Sequence, residues 1–176
     1  MRLLVTGYQT WDLGIFNDKD PRLKVIREAI KKDLQRFLEN GLEWLIFTGQ
    51  LGFEYWVMEV ALSLKSSYNL QLACIFPFDT HGQNWNEQNK EKLEHFKRLD
   101  FVKAAFSRYE NPGQFRDYHQ FLIDHTDGAY VFYDSEQETK LKYLFEKLQT
   151  QKNYELNLLT FERLNEVAEN FSDFDR

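Results

Sequence analysis

Phe47-Thr48-Gly49-Gln50-Leu51-Gly52-Phe53-Glu54 lies between an apolar run, Trp44-Leu45-Ile46-Phe47, and a segment of helical composition, Tyr55 to Leu64. The order reads as strand, tight glycine turn and helix start. Amides at a helix N-terminus attract anions, and glycine lets a ligand approach the backbone closely. The first strand repeats the arrangement in Leu3-Leu4-Val5-Thr6-Gly7-Tyr8. Two strand-Thr-Gly turns in one chain point to a nucleotide-type site.

The pattern continues outward from these turns. Asp20-Pro21 opens a helix, since Asp caps and Pro is tolerated in the first turn. Leu23, Ile26, Ile30, Leu34, Phe37 and Leu38 follow at helical spacing, and Asn40-Gly41 ends the segment. A third strand is expected over Leu70 to Phe76, stopped by Pro77. A charged helix follows over Glu87 to Leu99, then a fourth strand over Phe101 to Phe106. A helix from Gln114 to Asp124 places Phe115, Tyr118, Phe121 and Leu122 on its inward side. Ala129 to Tyr133 reads as a fifth strand, Glu138 to Gln149 as a helix, and Tyr154 to Leu159 as a sixth strand. A last amphipathic piece uses Phe161, Leu164, Val167, Ala168 and Phe171. Strands alternating with helices predict βαβ units, a mostly parallel sheet and a Rossmann-like three-layer α/β/α sandwich. With no linker, repeat or low-complexity stretch, residues 1–176 read as one domain.

Bulk composition narrows the function. The 176 residues are 43% hydrophobic and 28% charged, which suits a folded protein. Aromatics reach 16%, a load compatible with a homodimer. A net charge of −6 argues against nucleic acid and anionic membrane as partners. No apolar run approaches a transmembrane length, the N-terminus reads as a strand, and a cytoplasmic location is the default. Cys74, the one cysteine, falls in an apolar strand and cannot form an internal disulfide.

Ligands in open α/β sheets bind beyond the carboxyl ends of the strands, where the strand order reverses. The candidate ligand-binding residues are therefore Thr6, Gly7 and Tyr8; Thr48, Gly49, Gln50, Gly52 and Glu54; Phe78; Trp85; Arg108, Tyr109 and Arg116; and Tyr133 with Asp134. Aromatic rings there could stack a base, and amides and hydroxyls could bond a sugar. Glu54 either favours the helix N-terminus through the dipole or faces the crevice, accepting from ribose hydroxyls or acting as a catalytic acid/base. Arg108 and Arg116 are the candidate phosphate partners. The amide-rich loop around Trp85 either closes over a planar ligand or is pinned by that tryptophan. The glycines match neither G-x-G-x-x-G nor a Walker A loop, which disfavours an ordinary dehydrogenase or NTPase. His81, His95, His119 and His125 lack metal-binding spacing, and no serine lies in a nucleophile elbow.

These residues also carry a family resemblance. Thr6-Gly7-Tyr8, Leu13-Gly14-Ile15-Phe16, Gly41-Leu42-Glu43-Trp44 and Thr48 through Glu54 resemble the YpsA-like family of bacterial proteins. Pro77-Phe78, Asn84-Trp85, Asn89-Lys90, Tyr109, Pro112, Gln114-Phe115 and Asp127-Gly128 through Tyr133-Asp134 fit the same pattern. The resemblance runs through nearly the whole chain and is weakest over the last dozen residues. It implies a Rossmann-like fold of the SLOG superfamily, together with DprA and the Lonely-guy phosphoribohydrolases. It further implies a nucleotide, NAD- or ADP-ribose-like ligand at the first two strand-end loops, with Gly7, Gly49, Gly52 and Glu54 in the site. The Lonely-guy turn, Gly-Gly-x-Gly-Thr, is not reproduced: Gln50 replaces its second glycine and Phe53 its threonine. A ligand-sensing, regulatory protein is the leading expectation. The rivals are a hydrolase of nucleotide N-glycosidic bonds using Glu54 and an adaptor that docks a partner through aromatic surface.

Overall fold

The computed structural model describes residues 1–174, with side chains through residue 171. Six strands form one sheet in the order β4-β3-β2-β1-β5-β6. They are β1 (Arg2–Gly7), β2 (Trp44–Phe47), β3 (Gln71–Phe78), β4 (Phe101–Phe106), β5 (Gly128–Phe132) and β6 (Glu155–Leu159), and every pairing is parallel. The helices are α1 (Thr10–Leu13), α2 (Arg22–Glu39), α3 (Phe53–Leu64), α4 (Glu87–Lys97), α5 (Gly113–Asp124), α6 (Leu141–Gln149) and α7 (Phe161–Phe174). This is the expected Rossmann-like three-layer sandwich.

From β1 to β4 each strand is added on the same side. The right-handed crossover rule then places α2, α3 and α4 on one face of the sheet. The return from β4 to β5 runs in the opposite sense and puts α5, then α6, on the other face. The chain therefore changes direction between β1 and β5, where Leu3 through Gly7 pair with Gly128 through Phe132. α7 comes back to pack beside α2. Asp33 of α2 helps hold that layer, accepting a 2.7 Å hydrogen bond from the Tyr130 hydroxyl of β5.

Central strands are continuous apolar runs because helices cover both of their faces. Leu3, Leu4, Val5, Leu45, Phe47, Ala129, Val131 and Phe132 are buried. α3 is apolar on nearly every side, from Phe53 to Leu64, and is correspondingly almost wholly buried. Edge strand β4 instead alternates exposed and half-buried residues.

Three local expectations are corrected, and the segment before Asp20 gains a helix. Pro77 does not stop β3: it withholds one donor from the ladder, yet Phe78 still pairs with Phe106, and Asp79 N–H donates to the Phe106 carbonyl. The stretch after Gly7 holds the short helix α1, closed by a reciprocal cap in which Gln9 N–H donates to the Asp12 carboxylate. α6 begins at Leu141 and not at Glu138. The inward side of α5 is Gln114, Tyr118, Leu122 and Ile123, whereas Phe115 and Phe121 stay largely exposed. Sheet residues Ile46, Ala73, Ile75 and Phe101 beside α5 line an open concavity, and Phe121 stands at it.

Candidate functional site

The first two strand-end turns meet. Phe53 N–H donates to the Tyr8 carbonyl across 3.0 Å, and Gly52 lies directly against the backbone of Tyr8 and Gln9. A Cβ on Gly52 would stand 2.6 Å from the Tyr8 carbonyl oxygen, and its φ of 93° is one that a side chain resists. The expected convergence therefore exists, but the protein fills it with its own groups. A Cβ on Gly7 would lie 2.5 Å from the Phe53 ring, and one on Gly49 would lie 2.4 Å from the Phe76 ring. On the side where a Cβ would stand, these glycines make room for buried aromatics.

Glu54 lies beneath the turn it follows. It is 2% exposed. Its carboxylate accepts from Thr48 N–H at 2.6 Å, from Gly49 N–H at 3.1 Å and from the Thr48 hydroxyl. Donors that would otherwise suit an external anion are held by this internal one. Burial pushes the carboxyl up to about 7, against the lowering effect of the bonds from Thr48, Gly49 and Gln50. The alternative in which Glu54 faces the crevice toward a ribose is thus overturned: both of its oxygens are engaged underneath the loop. A carboxylate in the first helical turn was legible in the sequence, but its inward direction was not.

His81 holds the same turn from its other side. Its Nε2 lies 2.8 Å from the Gly49 carbonyl, which can only accept, so this nitrogen carries the proton. Burial lowers the affinity of the imidazole for a second proton. Trp85 is half-buried and packs edge-on to His81 with centroids 5.2 Å apart. Its loop is thereby pinned, and Asn86 caps α4 by accepting from Asn89 N–H.

Tyr8 joins the first loop to the fifth. Its buried hydroxyl donates toward the carbonyls of Asp134 and Gln137 and accepts from Asp134 N–H at 2.8 Å. It shapes the loop after β5 and does not itself present a ring to solvent. Thr6, Thr48 and Tyr133 are also buried, while Gln50 and Asp134 are half-buried at the rim. The residues at β4 do not join this group. β4 is the far edge, three strands from β1, roughly 14 Å at ordinary strand spacing. There Phe78, Tyr109 and Phe115 form a separate ring cluster with centroids 5.5–6.2 Å apart. The Arg108 and Arg116 side chains are 77% and 78% exposed, each 3.8 Å from a neighbouring carboxylate. Their assignment as phosphate partners of the first two turns is corrected by this strand order.

An open space does occur at the direction change. A cavity of about 340 Å³ lies between α1, α2 and α7, against the end of β5. Phe132 and Phe161 supply ring walls, with centroids 5.6 Å apart, and Ile15, Ile26 and Leu164 supply aliphatic ones. Asp12, Gln137 and Asn165 bring polar groups. The Gln137 side-chain amide donates to the Asp12 carbonyl at 2.7 Å, which ties the β5 loop to α1. Arg22 stands at the rim with its guanidinium on the carbonyls of Leu13 and Gly14 and on Asp20. The sequence reading missed Asp12, Arg22, Gln137, Phe161 and Asn165. Only the crossover at β5 could have signalled them, because they come from four separate segments. Among the described residues no cluster of His, Cys, Asp or Glu could hold a metal ion, and no helix is long and apolar enough to cross a membrane.

Residues 3–164 match the model of the YspA SLOG family. UPF0398 proteins of Streptococcus agalactiae serotypes Ia, V and III are each 59% identical over 167 residues, which covers 95% of this chain and 97% of theirs.

Proposed function

The chain belongs to the YspA SLOG family, and from that premise we propose that it binds a nucleotide-derived small molecule in the cavity at the β1/β5 direction change, acting as a ligand-sensing, regulatory protein of the cytoplasm. The observation that carries the reading is the coincidence of that cavity with the point in the strand order where α/β sheets hold their ligands. Its volume, about 340 Å³, is at the small end of ligand pockets and suits a base with its sugar better than a whole dinucleotide. The half-buried Phe161 ring offers stacking surface, and the amides of Gln137 and Asn165 offer a donor and acceptor edge. Arg22 is already committed to carbonyls and to Asp20, so the uncharged end of the ligand enters and any phosphate stays at the mouth.

A hydrolase is the weaker reading because of Glu54. A general acid or base must reach the proton it moves. Here the carboxylate is sealed beneath Thr48 and Gly49, with no open path to a substrate.

Calorimetry against adenosine, nucleoside monophosphates, ADP-ribose and NAD is the test. Saturable binding by at least one of these, abolished by Ala168→Phe in a variant that still melts cooperatively, is the expected result. No binding across the panel, or binding indifferent to the filled cavity, would sink the proposal. Chromatography of the same mixtures is expected to show no released base.

A further inference from the structure

A second concavity, of about 610 Å³, lies on the outer side of α2 where it meets α3 and α7. Lys24, Arg27 and Lys31 recur at i, i+3 and i+7 and so share one face of α2. Lys19 extends the row beyond the helix start. The carboxylates around them are mostly taken. Asp18 pairs with Lys92 at 3.2 Å, Asp20 with Arg22 at 2.7 Å, and Glu59 with Arg27 at 3.0 Å. Among the described residues Lys19, Lys24 and Lys31 have no carboxylate partner, against one such carboxylate in the groove, Glu28. The Arg27 Nε is buried with no hydrogen-bond partner. The floor is apolar, formed by Leu23, Val60 and Phe171, and the Lys24 ammonium lies 5.7 Å above the Phe171 ring. Among the described residues Lys19, Lys24 and Lys31 thus make a cationic row without carboxylate partners beside Phe171, in a protein of net charge −6.

We propose that this groove docks an acidic, amphipathic peptide segment of a partner protein, laid along α2. Carboxylates of the peptide meet Lys19, Lys24 and Lys31, and an apolar side chain between them rests on Phe171 and Val60. Lys24 and Lys31 are seven residues apart, roughly 10 Å along the helix, which matches carboxylates two turns apart on a partner helix. Nucleic acid fits less well: the acidic molecule as a whole repels a polyanion, and phosphates gain nothing from an apolar floor. The groove is separate from the β1/β5 cavity, so either proposal can fail without the other.

The probe is a fluorescein-labelled peptide of repeating Glu-Glu-Leu-Phe, followed by fluorescence anisotropy with the full chain. Saturable binding that weakens as salt rises is expected. Reversing Lys19, Lys24 and Lys31 together to Glu is expected to weaken it by about tenfold or more, with each lost charge contact a modest share. A control reversing Lys103, Lys140 and Lys152 should stay within about twofold. Phe171→Ala should weaken this peptide and leave a poly-glutamate probe unchanged. Equal loss in the control, no saturable binding at low salt, or tighter binding of single-stranded oligonucleotide or inorganic phosphate than of the peptide would overturn the proposal.

Discussion

Truncating the Glu54 side chain strands several donors at once, among them the amides of Thr48 and Gly49 and the Thr48 hydroxyl. Each buried donor without a partner costs about 1–3 kcal/mol. Glu54→Ala is therefore expected to lower stability by roughly 3–5 kcal/mol, a fall of about 10 °C in the melting temperature for a chain of this size. Differential scanning calorimetry reads this directly, and a loss under about 1 kcal/mol would contradict the buttress role. Glu54→Gln keeps an acceptor under the turn and should cost less. The same carboxyl sets a pH dependence. Its folded value, about 7, lies above its unfolded value of 4.5, so the folded state holds the proton more tightly. The stabilisation is full below about pH 4.5 and is lost as pH rises through 7, on the order of 3 kcal/mol in all. Urea melts of the native protein and of Glu54→Gln across that window should diverge. Parallel curves would remove Glu54 as their source.

At the scale of the element, the strand-turn-helix unit from β2 to α3 is held by contacts at three places. Glu54 grips its amides, His81 grips the Gly49 carbonyl, and Gly52 is wedged against the loop after β1. Gly52 and Gly14 both have positive φ, but their surroundings differ. A Cβ at Gly52 would meet backbone at 2.6 Å, whereas one at Gly14 would meet nothing within 4 Å. Gly14→Ala should then cost about 1–2 kcal/mol, the conformational penalty alone. Gly52→Ala should cost several-fold more, or prevent folding, because the backbone of Tyr8 and Gln9 cannot step aside. Chemical denaturation of both variants tests this, and similar losses would show the wedge to be soft. That unit was legible in the sequence, since two glycines between an apolar run and a helical pattern admit few other structures. What each glycine faces was not. The helix α5 shows the same division. Its periodicity was readable, but Phe115 turned to the Phe78 and Tyr109 rings and Phe121 to an open concavity beside the sheet.

At the scale of the whole molecule, strand order decides the mechanics. β1, β2, β3 and β5 each pair on both sides, whereas β4 and β6 are edges. Hydrogen exchange followed by mass spectrometry is expected to show the slowest amides in β1, β2 and β5 and the fastest strand amides in β4, whose residues alternate between exposed and half-buried. Uniform protection across the sheet would count against this ranking. Strand order also explains which expected site residues separate. Arg108, Tyr109 and Arg116 follow a strand, as Gly7 and Gly49 do, yet they lie at the far edge. A sequence lists strand-end loops one after another and is silent on which become neighbours.

The chain by itself determined the alternation of strands and helices, the parallel sheet, the layered sandwich and the two strand-Thr-Gly turns. These follow from local periodicity, caps and the handedness of crossovers, all of which act over a few neighbouring residues. Tertiary structure alone decided that Glu54 turns inward, that the aromatics Phe53 and Phe76 fill the space beside the glycines, and that the open cavity is built from Asp12, Arg22, Gln137, Phe161 and Asn165. Burial and cavity shape depend on which distant segments come together, and no local pattern in a single sequence encodes that meeting.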